Sequence, residues 1–250
     1  MNPAKHIVII GATSAIAEHC TRLWAMERPA SISLVGRHAE RLQLIAADIK
    51  VRSPDSEVVS ITMDFSSATA IQALADSLYA QKPVDLVLIA HGTLPVQQTC
   101  QNDLHEAERA LYINGLSPVL FAEAFAGKMQ QQGYGQIGLI GSVAGDRGRK
   151  SNYTYGAAKG MVTRYAQGLQ HRLAATRVVV SLIKPGPTDT PMTSEFKTKG
   201  ARMASVESVA KGIVKGMRAG KTVIYVPGKW QLIMMIIRHL PAVIFNKLDI

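Results

Sequence analysis

Short apolar runs and amphipathic stretches alternate along the whole chain. Strand-like runs fall at His6–Ile10, Ser31–Val35, Val58–Met63, Val84–Ala90, Gln136–Ile140, Val178–Ile183 and Thr222–Val226. Val84–Ala90 reads as a strand buried on both faces. Between the runs, apolar positions recur at the spacing of one helix face. They predict helices over Ala15–Met26, Ala39–Ile49, Ala68–Ala80, Leu104–Met129, Tyr155–Ala175 and Val206–Arg218. Strands spaced by helices make βαβ units, hence an α/β fold with a doubly wound parallel sheet. Repeats and low-complexity linkers are lacking, so residues 1–228 read as one domain and residues 229–250 as an apolar and basic helical extension.

Composition supports a folded domain, because 47% of residues are hydrophobic and only 18% charged. The two cysteines, Cys20 and Cys100, stand apart and form neither a disulfide framework nor a metal-ligand spacing, which fits a reducing, cytoplasmic setting. The apolar run Ile7–Ile10 is too short for a signal-peptide core and ends in Gly11. Net charge is +10, and it is concentrated: from Phe196 onward ten lysines and arginines face only Glu207 and Asp249. Such asymmetry points to an anionic partner. Nucleic acid is excluded for want of any matching motif and of aromatic residues, leaving a membrane surface or a phosphorylated substrate.

The first strand runs into Gly11-Ala12-Thr13-Ser14-Ala15-Ile16-Ala17. A small-residue turn there lets backbone N–H groups approach a pyrophosphate at the helix N-terminus. Ala15 places a methyl where the backbone nears phosphate, and a ligand-free turn is the competing reading. The second strand ends at Arg37, where an acidic residue would hold the ribose 2′-hydroxyl of NAD. Arginine suits the 2′-phosphate instead, so NADP(H) is expected over NAD(H). Asp64 stands where it accepts from an adenine amino group or caps the next helix.

Tyr155 and Lys159 sit four residues apart, on one helix face, with Ser142 thirteen residues upstream of the tyrosine. An ammonium near a phenol favours the phenolate, making the proton easier to lend. A serine hydroxyl in the same pocket holds a carbonyl oxygen while charge builds on it. The trio suits a carbonyl that becomes an alcohol.

With the turn from Gly11 to Ala17, Ser142, Tyr155 and Lys159 in this order, residues 5–227 resemble the short-chain dehydrogenase/reductase family. The resemblance implies a Rossmann-type fold and homo-oligomers. Asn114, in Tyr112-Ile113-Asn114-Gly115, matches the family's fourth catalytic residue. Pro185-Gly186 and then Thr188 or Thr190 match its cofactor-binding segment after the sixth strand. Ile89-Ala90-His91-Gly92 departs from the family's Asn-Asn-Ala-Gly, keeping Gly92 with Ala90 beside the cofactor. The implied reaction moves a hydride from NADPH to a ketone carbon. By the same resemblance Tyr155 gives the proton and Ser142 binds the oxygen. Lys159 lowers the tyrosine pKa and holds the ribose, while Asn114 positions a water.

Two features fall outside that pattern. Arg147, Arg149 and Lys150 place three cations between Ser142 and Tyr155, where they suit an anionic substrate or lie on a solvated loop. The tail from Trp230 to Ile237 is apolar nearly all round and is followed by Arg238-His239 and Val243-Ile244-Phe245. A span needs about 20 apolar residues, so the tail predicts a membrane-interface helix anchored by Trp230 and cations, a pocket lid or a subunit interface. Within the family the tail and basic loop resemble reductases of polyprenyl-phosphate-linked keto-pentoses. The readings are therefore an NADPH-dependent reductase of a lipid-linked or phosphorylated keto-sugar, a reductase of a soluble ketone such as a 3-oxoacyl thioester, and a pyridine-nucleotide-binding interaction module.

Overall fold

The structure is a computed structural model and describes residues 5–193 and 203–248. The strands of its main sheet are β1 (His6–Ile10), β2 (Ser31–Gly36), β3 (Glu57–Thr62), β4 (Leu86–Ile89), β5 (Tyr134–Ile140), β6 (Arg177–Pro185) and β7 (Val223–Val226). They form one seven-stranded sheet in the order β3-β2-β1-β4-β5-β6-β7, every pair parallel. The helices between them are α1 (Ala15–Glu27), α2 (Ala39–Arg52), α3 (Ala68–Gln81), α4 (Gln97–Asn102), α5 (Leu104–Leu111), α6 (Ser117–Gln132), α7 (Tyr153–Arg172) and α8 (Val206–Arg218).

Alternation along the central strands decides the layers. In β1, Val8 and Ile10 join one buried cluster with Val87, Ile89, Phe121 and Phe125. Ile7 and Ile9 join the other with Leu34, Leu86, Leu88 and Ile213. Successive strand side chains point to opposite faces, so each face needs its own helical cover. The strand order reverses between β1 and β4, and ligands of open α/β sheets bind at the carboxyl ends of strands at such a switch.

The single helix expected over Leu104–Met129 runs without a gap from Leu104 to Gln132 but carries an internal π-helical turn. α5 ends at Leu111, a π-helical turn covers Tyr112–Leu116, and α6 begins at Ser117. Pro118 is the cause. It has no N–H to give to the carbonyl of Asn114, and its ring crowds that turn. The ladder resumes through Ser117, whose N–H reaches the carbonyl of Tyr112. Asn114 lies in this π-helical turn and is fully buried.

The tail forms α9 (Lys229–His239) and α10 (Ala242–Phe245). Met234 is buried beneath it, whereas Leu232, Met235, Ile236, Val243 and Ile244 are exposed. Among the described residues no helix is long and apolar enough to cross a membrane, and no group of three His, Cys, Asp or Glu is placed to hold a metal.

Candidate active site

A cleft of about 910 Å³ opens at the carboxyl ends of β1, β4, β5 and β6. Gly11, Thr13, Ser14, Ala15, Ile16, Arg37 and Asp64 line one end of it. Ala90, Gly92, Asn114, Ser142, Tyr155 and Lys159 line the middle, with Pro185, Gly186, Thr188 and Thr190 opposite. Elements remote in sequence thus meet there because β1, β4, β5 and β6 end side by side.

The residues present fit a dinucleotide at the first of these places. Gly11 has φ +79, and a Cβ on it would stand 2.6 Å from the backbone N of His91. Only glycine takes that conformation without strain and leaves that approach open. Ser14, the N-cap of α1, makes no side-chain capping bond. The first N–H groups of the helix are left for a ligand, and the helix dipole favours an anion there. Asp64 does not cap α3, because Ser67 does so through the N–H of Ala70. The Asp64 carboxylate accepts from Ser66 and, with Arg37 nearby, is held below the usual carboxylate range.

Ser142 is the N-cap of a short 3₁₀ turn, Val143–Asp146, and its Oγ accepts from the N–H of Ala144 at 3.1 Å. The turn is held from below. Asp146 pairs with Lys184 of β6, both side chains nearly fully buried, and accepts from the Tyr225 hydroxyl at 2.8 Å. Burial pushes the Tyr155 phenol up to about 12, against a hydrogen bond from Ser142 that lowers it. Burial also brings Lys159 down to about 8. Its Nζ donates to the carbonyl of Ile140 at 3.0 Å and lies 5.8 Å from the Tyr155 ring centre. Desolvation is the largest influence on the Tyr155 phenol in this arrangement. Asn114 donates to the carbonyl of Ala110 at 3.0 Å and accepts from the N–H of Thr93 at 2.8 Å. A Cβ on Gly92 would stand 2.8 Å from Asn114 Oδ1 and 3.7 Å from Lys159 Nζ, so these three residues converge.

The three loop cations separate. Arg149 lines the cleft, whereas Arg147 and Lys150 are outside its lining. Arg147 donates to the carbonyls of Ile237 and Leu240 in the tail. Trp230, expected as an interfacial anchor, lines the cleft against Gly186. Sequence reasoning also passed over Arg41 and His91. Arg41, in the first turn of α2 and four residues after Arg37, lines the cleft and donates to the carbonyl of Thr13 at 3.2 Å. His91 packs tilted against Phe65 and edge-to-face against Phe121, with ring centres 4.7 and 5.5 Å away, and its Nε2 meets Ser117 Oγ at 3.0 Å.

The short chain dehydrogenase model matches residues 5–201. The chain belongs to that family. A short-chain dehydrogenase is an oxidoreductase with a nucleotide cofactor, which gives the cleft its class of chemistry. Curated relatives include an uncharacterized oxidoreductase from the mprA 5′ region of Streptomyces coelicolor, 28% identical over 98% of this chain and 96% of its own. An uncharacterized oxidoreductase of Mycobacterium tuberculosis is 28% identical over 98% of this chain and 97% of its own. Among solved structures, a short-chain dehydrogenase from Sphingobium yanoikuyae in complex with NADPH has a TM-score of 0.82 at 21% identity, covering 95% of this chain and 97% of its own. That likeness establishes the fold.

Proposed function

We propose that this short-chain dehydrogenase reduces a ketone to a secondary alcohol with NADPH. The observation that carries the reading is that Ser142, Tyr155, Lys159 and Asn114 line the same cleft as the glycine turn and Arg37. A bound nicotinamide cofactor supplies the hydride. Tyr155, protonated throughout the neutral range, holds the proton that the carbonyl oxygen takes up. Ser142 donates a hydrogen bond to that oxygen as charge builds on it. The Lys159 ammonium offsets the phenolate left on Tyr155. Arg37, with Arg41 beside it in the cleft lining, supports the 2′-phosphate form of the cofactor.

The test is NADPH consumption over a ketone panel with the wild type and Tyr155→Phe. The variant should lose about 100-fold or more of turnover, the range of one general acid, and still bind NADPH. A Tyr155→Phe enzyme with wild-type turnover ends the reading. Arg37→Ser should weaken NADPH far more than NADH.

The tail belongs to the same reading. Its exposed Leu232, Ile236, Val243 and Ile244, flanked by exposed Lys229, Arg238 and Lys247, support contact with an anionic membrane surface. Sedimentation with anionic and neutral vesicles tests this. Equal partitioning together with a dimer that forms through the tail would assign the face to a second copy instead.

A further inference from the structure

Arg149 differs from the other cations of the cleft. Its Nε and Nη2 are both buried, and neither has a hydrogen-bond partner. These two nitrogens form one edge of the guanidinium, the side-on edge that receives the two oxygens of a carboxylate or phosphate. The acid whose charge it feels does not meet that need. Asp146 acts on Arg149 only at a distance, because its carboxylate is already taken by Lys184 and Tyr225. A buried charge without a partner is costly, so such a site persists where a ligand completes it. Asn152, three residues on and lining the same cleft, repeats the pattern, because its buried Oδ1 also lacks a partner.

We infer that the substrate carries an anionic oxygen group, carboxylate or phosphate, and that Arg149 binds it through its Nε–Nη2 edge. This rests on the ketone-reductase reading for what happens at the other end of the substrate. The edge is covered in this arrangement, so binding requires the guanidinium to rotate until that edge faces the cleft the side chain lines. Met192, Met203 and Trp230 line the same cleft and give it an apolar surface. The substrate class is therefore a ketone whose apolar body separates the carbonyl from an acidic terminus. Arg147 and Lys150 take no part.

The test compares matched pairs: 6-oxoheptanoate with its methyl ester, and 5-oxohexyl phosphate with 6-hydroxyhexan-2-one. NADPH oxidation should favour the charged member by about tenfold or more in kcat/KM, the lower end for a charge-assisted hydrogen bond. Whichever pair shows the larger ratio identifies carboxylate or phosphate. Arg149→Gln should bring that ratio close to one, chiefly through KM of the charged member, and Arg149→Lys should restore part of it. Binding of hexanoate, hexyl phosphate and hexanol to the NADP⁺-saturated protein, followed by calorimetry, gives a readout independent of turnover. Saturation keeps the probes off the cofactor's own phosphate sites. Anion binding that depends on Arg149, with no ketone turned over, overturns the reductase reading and leaves the anion site standing. Turnover without charge preference, or an Arg149→Gln enzyme with the wild-type ratio, overturns the anion site and leaves the reductase.

Discussion

The guanidinium of Arg147 lies 3.8 Å from the ring centre of Phe245. One of its nitrogens also donates to the carbonyls of Ile237 and Leu240, at 2.7 and 2.6 Å. These are carbonyls at the end of α9, where a helix leaves acceptors unsatisfied and a cation complements the dipole. Arg147 therefore fastens the tail to the segment between Ser142 and Tyr155. Arg147→Ala should cost about 1–3 kcal/mol from the lost cation–π contact and two hydrogen bonds. At about 2–4 °C per kcal/mol for a chain of this size, that is a fall in Tm of several degrees. Hydrogen exchange should quicken in residues 229–248 before it does in the sheet; unchanged protection there would show that the tail is held by something else.

Gly186 carries the tail's other end. A Cβ on it would run into the indole of Trp230, at the start of α9. Gly186→Ala should push the indole out of the cleft at a cost of about 1–3 kcal/mol, the usual range for overpacking. Tryptophan emission should shift to the red, because the only other tryptophan, Trp24, stays buried in the core. Emission identical to wild type would mean that the glycine is not needed for the indole's seat.

His91 is buried among Phe65 and Phe121, and desolvation lowers its pKa from 6.5 to about 3. The folded protein thus keeps it neutral where the unfolded chain takes up a proton. Between pH 6.5 and about 3 the unfolded state binds more protons, so stability falls as pH falls, by about 1.4 kcal/mol per pH unit from this group. His6, also lowered mainly by burial, adds to the same limb. His91→Phe preserves the aromatic packing and leaves Ser117 its bond to the carbonyl of Phe65. Urea unfolding at pH 4.5 and 6.5 should show a shallower loss in the variant than in the wild type, and equal slopes would remove His91 as a source.

The sheet was legible because its signal is local. Each of the seven strands lies within two residues of the run expected for it, since alternation or continuous burial in four to nine residues is enough to define a strand. The signal for the π-helical turn before Pro118 was also present in the sequence, as a missing N–H inside a helical pattern, but a long amphipathic period masked it. The roles of the loop cations were not legible. Arg147, Arg149 and Lys150 look alike as neighbours, and what separates them is a tail 90 residues away in the chain that engages Arg147 and a buried edge left unpaired on Arg149. Partners at that separation are chosen by the fold, and no local pattern carries them.

Lys159 and Tyr155 titrate in opposite senses for the same reason. Burial disfavours the charged form of each, bringing the ammonium from 10.5 down to about 8 and the phenol from 10.0 up to about 12. For Lys159, the folded protein has released a proton that the unfolded chain still holds between pH 8 and 10.5. Stability from this group therefore rises with pH across that window, by about 1.4 kcal/mol per unit, and the charged lysine is a burden below pH 8. For Tyr155 the folded protein keeps a proton that the unfolded chain loses between pH 10 and 12, so stability falls there. The two windows are separable by working below pH 10. In cofactor-free protein, unfolding free energies at pH 7.5, 8.5 and 9.5 should rise in the wild type relative to Lys159→Met, whose apolar side chain has no proton to lose. Parallel curves for the two proteins would place the lysine's pKa near its ordinary value, and the folded site would then hold the ammonium at little cost.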